Sequence, residues 1–240
     1  MELYQELEKY LGCPCRYFPA AEDVKPVLDA YWEARERGKR EGFLPMLLAA
    51  EDETLLECLT WDRGDPAAYR QKALAEPVRD GGAMLAELIE GRRADAEADG
   101  FDWSEEVLGE MEGGEEANTF SGIFDFHGKT IPLALAELPV KHPWEIFAWL
   151  PFGGWNECPD TPELMAAAKY WHEKYGAVPA VMTHDVLEFD LPAPVEREEA
   201  MALALEQYAF CPDIVDQGCE SVGVLADILA KSTKWFFWWD

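Results

Sequence analysis

The chain has 240 residues, 49% of them hydrophobic and 12% aromatic, enough for one large or two small globular domains and too apolar for a disordered polymer. Forty-eight acidic residues against 20 basic ones leave a net charge of −28. Such a field repels nucleic acid and anionic membrane surfaces, whose binding depends on basic groups, and it attracts cations and basic proteins.

The pattern opens with a helix over about Glu2–Leu11, with Leu3, Leu7, Tyr10 and Leu11 at helical spacing. A second helix is expected over about Glu22–Arg37, stopped near Gly38, and Phe43–Ala49 reads as a buried strand. Leu55–Trp61 suits either a partner strand or a short helix, because periodicity does not decide for so short an apolar run. Helices over about Pro66–Ala75 and Gly82–Glu90 follow. Ala94–Glu116 holds ten acidic residues and no basic one, with Phe101, Trp103, Val107, Leu108 and Met111 between them. This predicts an acidic amphipathic helix with its apolar side toward a core, followed by a Gly113-Gly114 loop. Phe120–Phe126 and Thr130–Leu135 around His127-Gly-Lys129 read as a β-hairpin.

Ile146–Phe152 is expected to be a strand running into the segment Pro151-Phe-Gly-Gly-Trp-Asn-Glu-Cys-Pro159. Two glycines there free the backbone for unusual turns. Trp155, Asn156 and Glu157 supply an aromatic platform with polar atoms, which suits a recognition surface or a buried, hydrogen-bonded loop. Asp160-Thr-Pro-Glu163 carries the signals of a helix start: a capping aspartate, an early proline and a glutamate completing a capping box. That helix ends at Gly176. Val178–Thr183 and Val186–Leu191 flank His184-Asp185; the second alternates Leu187, Phe189 and Leu191 with Glu188 and Asp190, as a half-buried strand does. Helices over about Glu196–Tyr208 and Ser221–Lys231 come next. The closing strand Lys234–Trp239 is so aromatic that it is expected inside the sheet.

The segments PFGGWNECP, Tyr170–Gly176, Thr183-His-Asp185, Gln207–Gly218 and Trp235–Asp240 together resemble a bacterial family, domain of unknown function 4253, over about residues 141–240. The resemblance implies a compact bacterial α/β domain and brings no activity or ligand with it.

No complete catalytic set is present. His184-Asp185 is similar to the metal-binding pair of phosphohydrolases but lies between strand-like runs, where a β-turn with a hydrogen-bonded histidine is the simpler reading. His172-Glu173 lacks the second histidine of a zinc helix, because Gly176 stands in its place. The cysteines at 13, 15, 58, 158, 211 and 219 show no zinc-ligand spacing. Carboxylates beside Cys158 and Cys211 disfavour a thiolate nucleophile. Asp213 and Asp216 would share a side of a helical turn and, with Glu157, offer oxygen ligands to a divalent cation; Asp213 as a helix cap is the simpler alternative.

The expected fold is α/β: a mixed sheet flanked by helices, with residues 1–140 an N-terminal helical and hairpin region packed on a family-like domain at 141–240 in one continuous unit. With no signal peptide or membrane span visible, the expected location is the cytoplasm. No cofactor and no metal are expected. The leading functional expectation is an acidic, non-enzymatic binding protein whose partner is basic, such as a toxin. The alternative is a small-molecule or divalent-metal enzyme. Candidate binding residues are Trp155, Asn156, Glu157, His184, Asp213 and Asp216, and their convergence in one pocket would favour the enzyme.

Overall fold

The computed structural model describes residues 2–61 and 63–240; Met1 and Asp62 lie outside the described residues. Six strands form one mixed sheet: β1 (Cys15–Phe18), β2 (Leu44–Ala49), β3 (Leu133–Leu138), β4 (Val178–Met182), β5 (Val186–Asp190) and β6 (Lys234–Trp238), in the spatial order β1-β3-β2-β4-β5-β6. Among the described residues only β2 and β4 pair in parallel; every other neighbouring pair is antiparallel. The N-terminal half therefore supplies a central strand, β2, whose six residues are all buried.

Helices α1 (Glu2–Leu11), α3 (Glu53–Thr60), α4 (Pro66–Ala75), α5 (Gly81–Asp99), α6 (Ile146–Trp149), α7 (Thr161–Tyr175), α8 (Arg197–Phe210) and α9 (Val222–Leu229) accompany the sheet, with α2 (Lys25–Glu41) apart from them. The larger core joins α1, α3, α5, α7, α8 and α9 to one sheet face. The smaller core lies on the other face, where α2 and the segment around Phe120 and Ile123 cover Leu47, Leu135 and Val181. Among α-helix starts, Asp52, Asp65, Asp80, Asp160 and Ser221 each accept a backbone N–H with the side chain, the bond that makes such residues good caps.

Five expectations are corrected. Residues 120–135 hold a single bridge, Phe124 to Thr130, and Leu133–Leu138 is an interior strand between β1 and β2 rather than half of an edge hairpin. Ile146–Phe152 is no strand. Glu145 accepts the amides of Lys141 (2.8 Å) and His142 (3.2 Å), so a capped turn at Pro143–Glu145 leads straight into α6. The acidic stretch is not one helix: α5 stops at Gly100, with φ of 88°, and a π-helical turn over Trp103–Leu108 follows, started by Asp102. The helix through Gly38 continues to Glu41 and ends on left-handed Gly42.

The fifth correction concerns β6, which is an edge strand and not an interior one. Its inward aromatics, Trp235 and Phe237, bury against the larger core without a second strand neighbour. Its outer edge is blunted at both ends. The Lys234 amide donates to Ala117 O at 3.1 Å, and the Cys211 thiol donates to Trp238 O at 3.0 Å. Such plugging discourages pairing with another chain.

Candidate functional site

The parallel strands β2 and β4 point their carboxyl ends the same way, and the antiparallel steps through β5 turn β6 back to that direction. In open α/β sheets this end is where ligands gather. Here the chain leaves β2 into Glu51-Asp52-Glu53 and leaves β4 into Thr183-His184-Asp185.

Asp52 joins the two exits. Its Oδ1 accepts the Leu55 amide at 2.9 Å and caps α3, while Oδ2 accepts the His184 amide at 3.2 Å and lies 2.7 Å from His184 Nδ1. A carboxylate only accepts, so Nδ1 carries the proton in this bond. His184 Nε2 lies 3.6 Å from Asp185 Oδ1. Asp185 is fixed in turn by the Thr183 hydroxyl (2.8 Å) and by the Trp238 indole N–H (3.0 Å). The imidazole is thus clasped between two carboxylates on adjacent loops.

These groups line a groove of about 720 Å³. Its floor is the uncovered end of the outer sheet face, with Val186, Phe236 and Trp238, and its far wall is the 121–132 segment with Phe124 and Ile131. Phe126, fully exposed, stands at the rim with Phe236, 40% exposed. Five carboxylates line the groove: Glu51, Asp52, Glu53, Asp125 and Asp185. Among its described lining residues there is no lysine or arginine. Glu51 accepts the Tyr17 hydroxyl at 2.8 Å. Asp125 accepts the amides of Lys129 and His127, which hold its carboxyl below the ordinary value.

The far wall is anchored by a residue expected to face solvent. Glu188 is 1% exposed, because residues 120–122 fold over it. Its carboxylate accepts the Ser121 amide (2.8 Å), the Ser121 hydroxyl (2.9 Å) and the Gly122 amide (3.1 Å). Burial pushes this carboxyl up, against the pull of those bonds and of Lys234. A Cβ at Gly122 would come within 2.9 Å of Val186, so glycine is what lets the wall lie so close.

The residues singled out in the sequence fall into two places. Asn156, Glu157, Asp213 and Asp216 gather around Arg92 and the chain end. Glu157 pairs with Arg92, and the Asp240 amide donates to Asp213 at 3.1 Å, while Asn156 donates to Asp240 O at 2.5 Å. Burial raises the Asp216 carboxyl, with Tyr208 and Arg92 opposing, and burial with Asp216 nearby pushes the Tyr208 hydroxyl up to about 12. His184 belongs to the groove instead. Trp155 packs edge-on against Phe152, and its indole N–H has no hydrogen-bond partner among the described residues.

The Pro151–Pro159 loop closes upon itself. The Gly154 amide is shared by the carbonyls of Cys158 (3.0 Å) and Pro159 (3.2 Å), and Gly153 and Gly154 both take positive φ. A Cβ on Gly153 would stand 2.0 Å from Pro159 O. Asn156 and Glu157 face only a hollow of about 210 Å³. Burial raises the Cys158 and Cys211 thiols, which keeps both protonated near neutrality. Among the described residues, no three His, Cys, Asp or Glu side chains are placed to hold a metal ion, and no helix is long and apolar enough to cross a membrane.

Asp52, Glu53, Asp185, Phe126 and Phe236 were not among the expected site residues. The usable signal was positional: the acidic triplet and the Thr-His-Asp triplet each follow a buried strand directly. Recognising them as neighbours requires the parallel pairing of β2 with β4.

Residues 134–240, the C-terminal region of the chain, match the family model described as domain of unknown function 4253. No curated protein and no solved structure matches the chain.

Proposed function

We propose that the protein binds a basic partner protein through the groove at the carboxyl ends of β2, β4 and β6. The observation that carries this reading is the groove's composition: an aromatic floor and rim, five carboxylates and no lysine or arginine among the described lining residues. Apolar surface next to a cluster of carboxylates suits a ligand that is both cationic and amphipathic. The net charge of −28 would speed its approach. A cationic toxin is one partner of this chemical kind.

General acidity would attract any basic peptide, so the test must separate the groove from the rest of the surface. Titrating a cationic amphipathic peptide of mixed lysine, arginine and leucine at physiological salt, the double variant Glu53→Lys/Phe126→Lys should abolish binding. The variant Asp95→Lys/Ala98→Lys, with the same charge change on exposed positions of α5, should leave it nearly intact. Equal losses from both would reduce the effect to net charge and defeat the proposal.

A second reading, a small-molecule or divalent-metal enzyme around Pro151–Pro159, is favoured by one observation: Asn156, Glu157, Asp213 and Asp216 share a neighbourhood. Arg92 already neutralises Glu157 there. A divalent cation that raised the melting temperature, with the effect lost in Asp213→Asn, would favour this reading over the first.

A further inference from the structure

The two ends of the outer face of β5 and β6 are assembled from the same kinds of side chain, apart from a cation. At the end under α2, Lys234 stands opposite Asp190, with Nζ 2.9 Å from Oδ1. The same ammonium lies over the rings of Phe120 at 5.2 Å and Trp32 at 5.7 Å. A carboxylate and aromatic faces together thus hold the Lys234 ammonium, while Arg35 lies 3.6 Å from the other oxygen of Asp190.

At the groove end, two and four residues further along β6, Phe236 and Trp238 supply the rings and Asp185 the carboxylate, 3.0 Å from the Trp238 indole nitrogen. Phe126 adds a fully exposed ring from the opposite wall. The positive charge is missing. His184 does not fill that role, since its Nδ1 is held by Asp52 and its Nε2, 3.6 Å from Asp185 Oδ1, is beyond hydrogen-bond distance.

We propose that an arginine side chain of the basic partner supplies this cation, entering between the Phe126 and Phe236 rings to reach Asp185. The inference rests on the binding reading above and narrows it from basic to arginine-bearing. Two features select arginine over lysine. A planar, weakly hydrated guanidinium stacks flat on exposed rings, whereas a compact ammonium gives up more hydration to reach them, as Lys234 does where it is buried. Each oxygen of Asp185 already accepts one donor, Thr183 Oγ1 on Oδ1 and Trp238 Nε1 on Oδ2. Each oxygen therefore keeps acceptor capacity, and a forked guanidinium uses both at once where an ammonium uses one.

The test uses two short labelled peptides of one sequence, with arginine or lysine at every basic position, titrated against the full chain by fluorescence anisotropy at physiological salt. The arginine peptide should bind about tenfold more tightly, the scale of one stacked, partly desolvated cation. Phe126→Ala, a change at a fully exposed position, should shrink that preference to about twofold or less, the arginine peptide losing more affinity than the lysine peptide. Equal affinities for the two peptides overturn the arginine assignment and leave the binding reading standing. Binding of neither peptide overturns both. If free arginine amide competes as well as the peptide does, the ligand is a small guanidinium compound, and the assignment to a partner protein fails.

Discussion

Phe237 is a residue whose loss should damage the molecule severely. It is fully buried on the inward face of β6, with its ring stacked on Trp171 (5.5 Å) and Trp239 (6.1 Å) and edge-on to Phe210 (5.4 Å) and Phe189 (5.7 Å). Removing the ring in Phe237→Ala forfeits a transfer contribution of about 1.5–3 kcal/mol. Ring pairs contribute roughly 0.5–1.5 kcal/mol each beyond area, and four are lost, though the neighbours recover part of that by settling into the gap. Measured Phe-to-Ala losses run at about 3–5 kcal/mol. Four aromatic partners place this one in the upper half, about 4–5 kcal/mol, a large share of the roughly 5–15 kcal/mol that holds a domain together. At about 2–4 °C per kcal/mol for a chain of this size, the melting temperature should fall by roughly 8–20 °C. Urea unfolding followed by tryptophan fluorescence measures the change, with Phe236→Ala on the outer face of the same strand as the control, expected to cost less than about 1 kcal/mol. A loss under about 2 kcal/mol at Phe237, or equal losses at both positions, would refute the view that β6 is held by its inward face.

Two further predictions concern charged groups. Asp227 accepts from Lys231 (2.6 Å), Arg197 (3.0 Å) and the Gly114 amide (3.0 Å), and the first two chiefly hold its carboxyl down at about 2. Because the folded value lies below the ordinary one of 3.8, its contribution is complete above that pH and is lost as the pH falls toward 2. Asp227→Asn should therefore be less stable than wild type at neutral pH, with the difference closing as the pH drops from about 4 to 2; a difference independent of pH over that window would show that the charge is not its source. Glu157→Gln should change stability by less than about 1 kcal/mol, since its pair with Arg92 is half exposed. A larger drop in thermal denaturation would mean that the Pro151–Pro159 loop depends on this carboxylate as scaffold.

Local signals in the sequence were legible wherever capping and periodicity agreed. The Asp160–Glu163 box, the Gly176 stop and helices α1 and α4 lie where their residues place them. The failures come from local turns that an apolar run masks and from distant segments that close over a residue. Ile146–Trp149 is as apolar as a strand, but Glu145 closes a turn before it. Glu188 alternates like a solvent-facing residue until Ser121 and Gly122, brought from elsewhere, close over it. The site divided in the same way. The Gly-Gly loop was conspicuous in composition, yet its glycines serve the loop's own closure. Its polar residues Asn156 and Glu157 lie near Asp213 and Asp216, around Arg92 and Asp240. The groove was hidden because Asp52 and His184, 2.7 Å apart in space, are separated by most of the chain.

The position of β2 bears on how the molecule is made. Its neighbours in the sheet are β3 and β4, both within or at the border of the region 134–240. A ribosome completes β2 at Ala49, long before β3 begins at Leu133 and β4 at Val178. The nascent strand, with six buried residues, must wait unpaired through the synthesis of α3, α4 and α5. Only β4, β5 and β6 arrive as consecutive antiparallel partners that can zip together as they emerge. The sheet then closes by admitting an older strand between two younger ones. During synthesis the exposed Leu44–Ala49 segment is therefore the place where a chaperone would be needed, and where a stalled or truncated product would stick to its neighbours first.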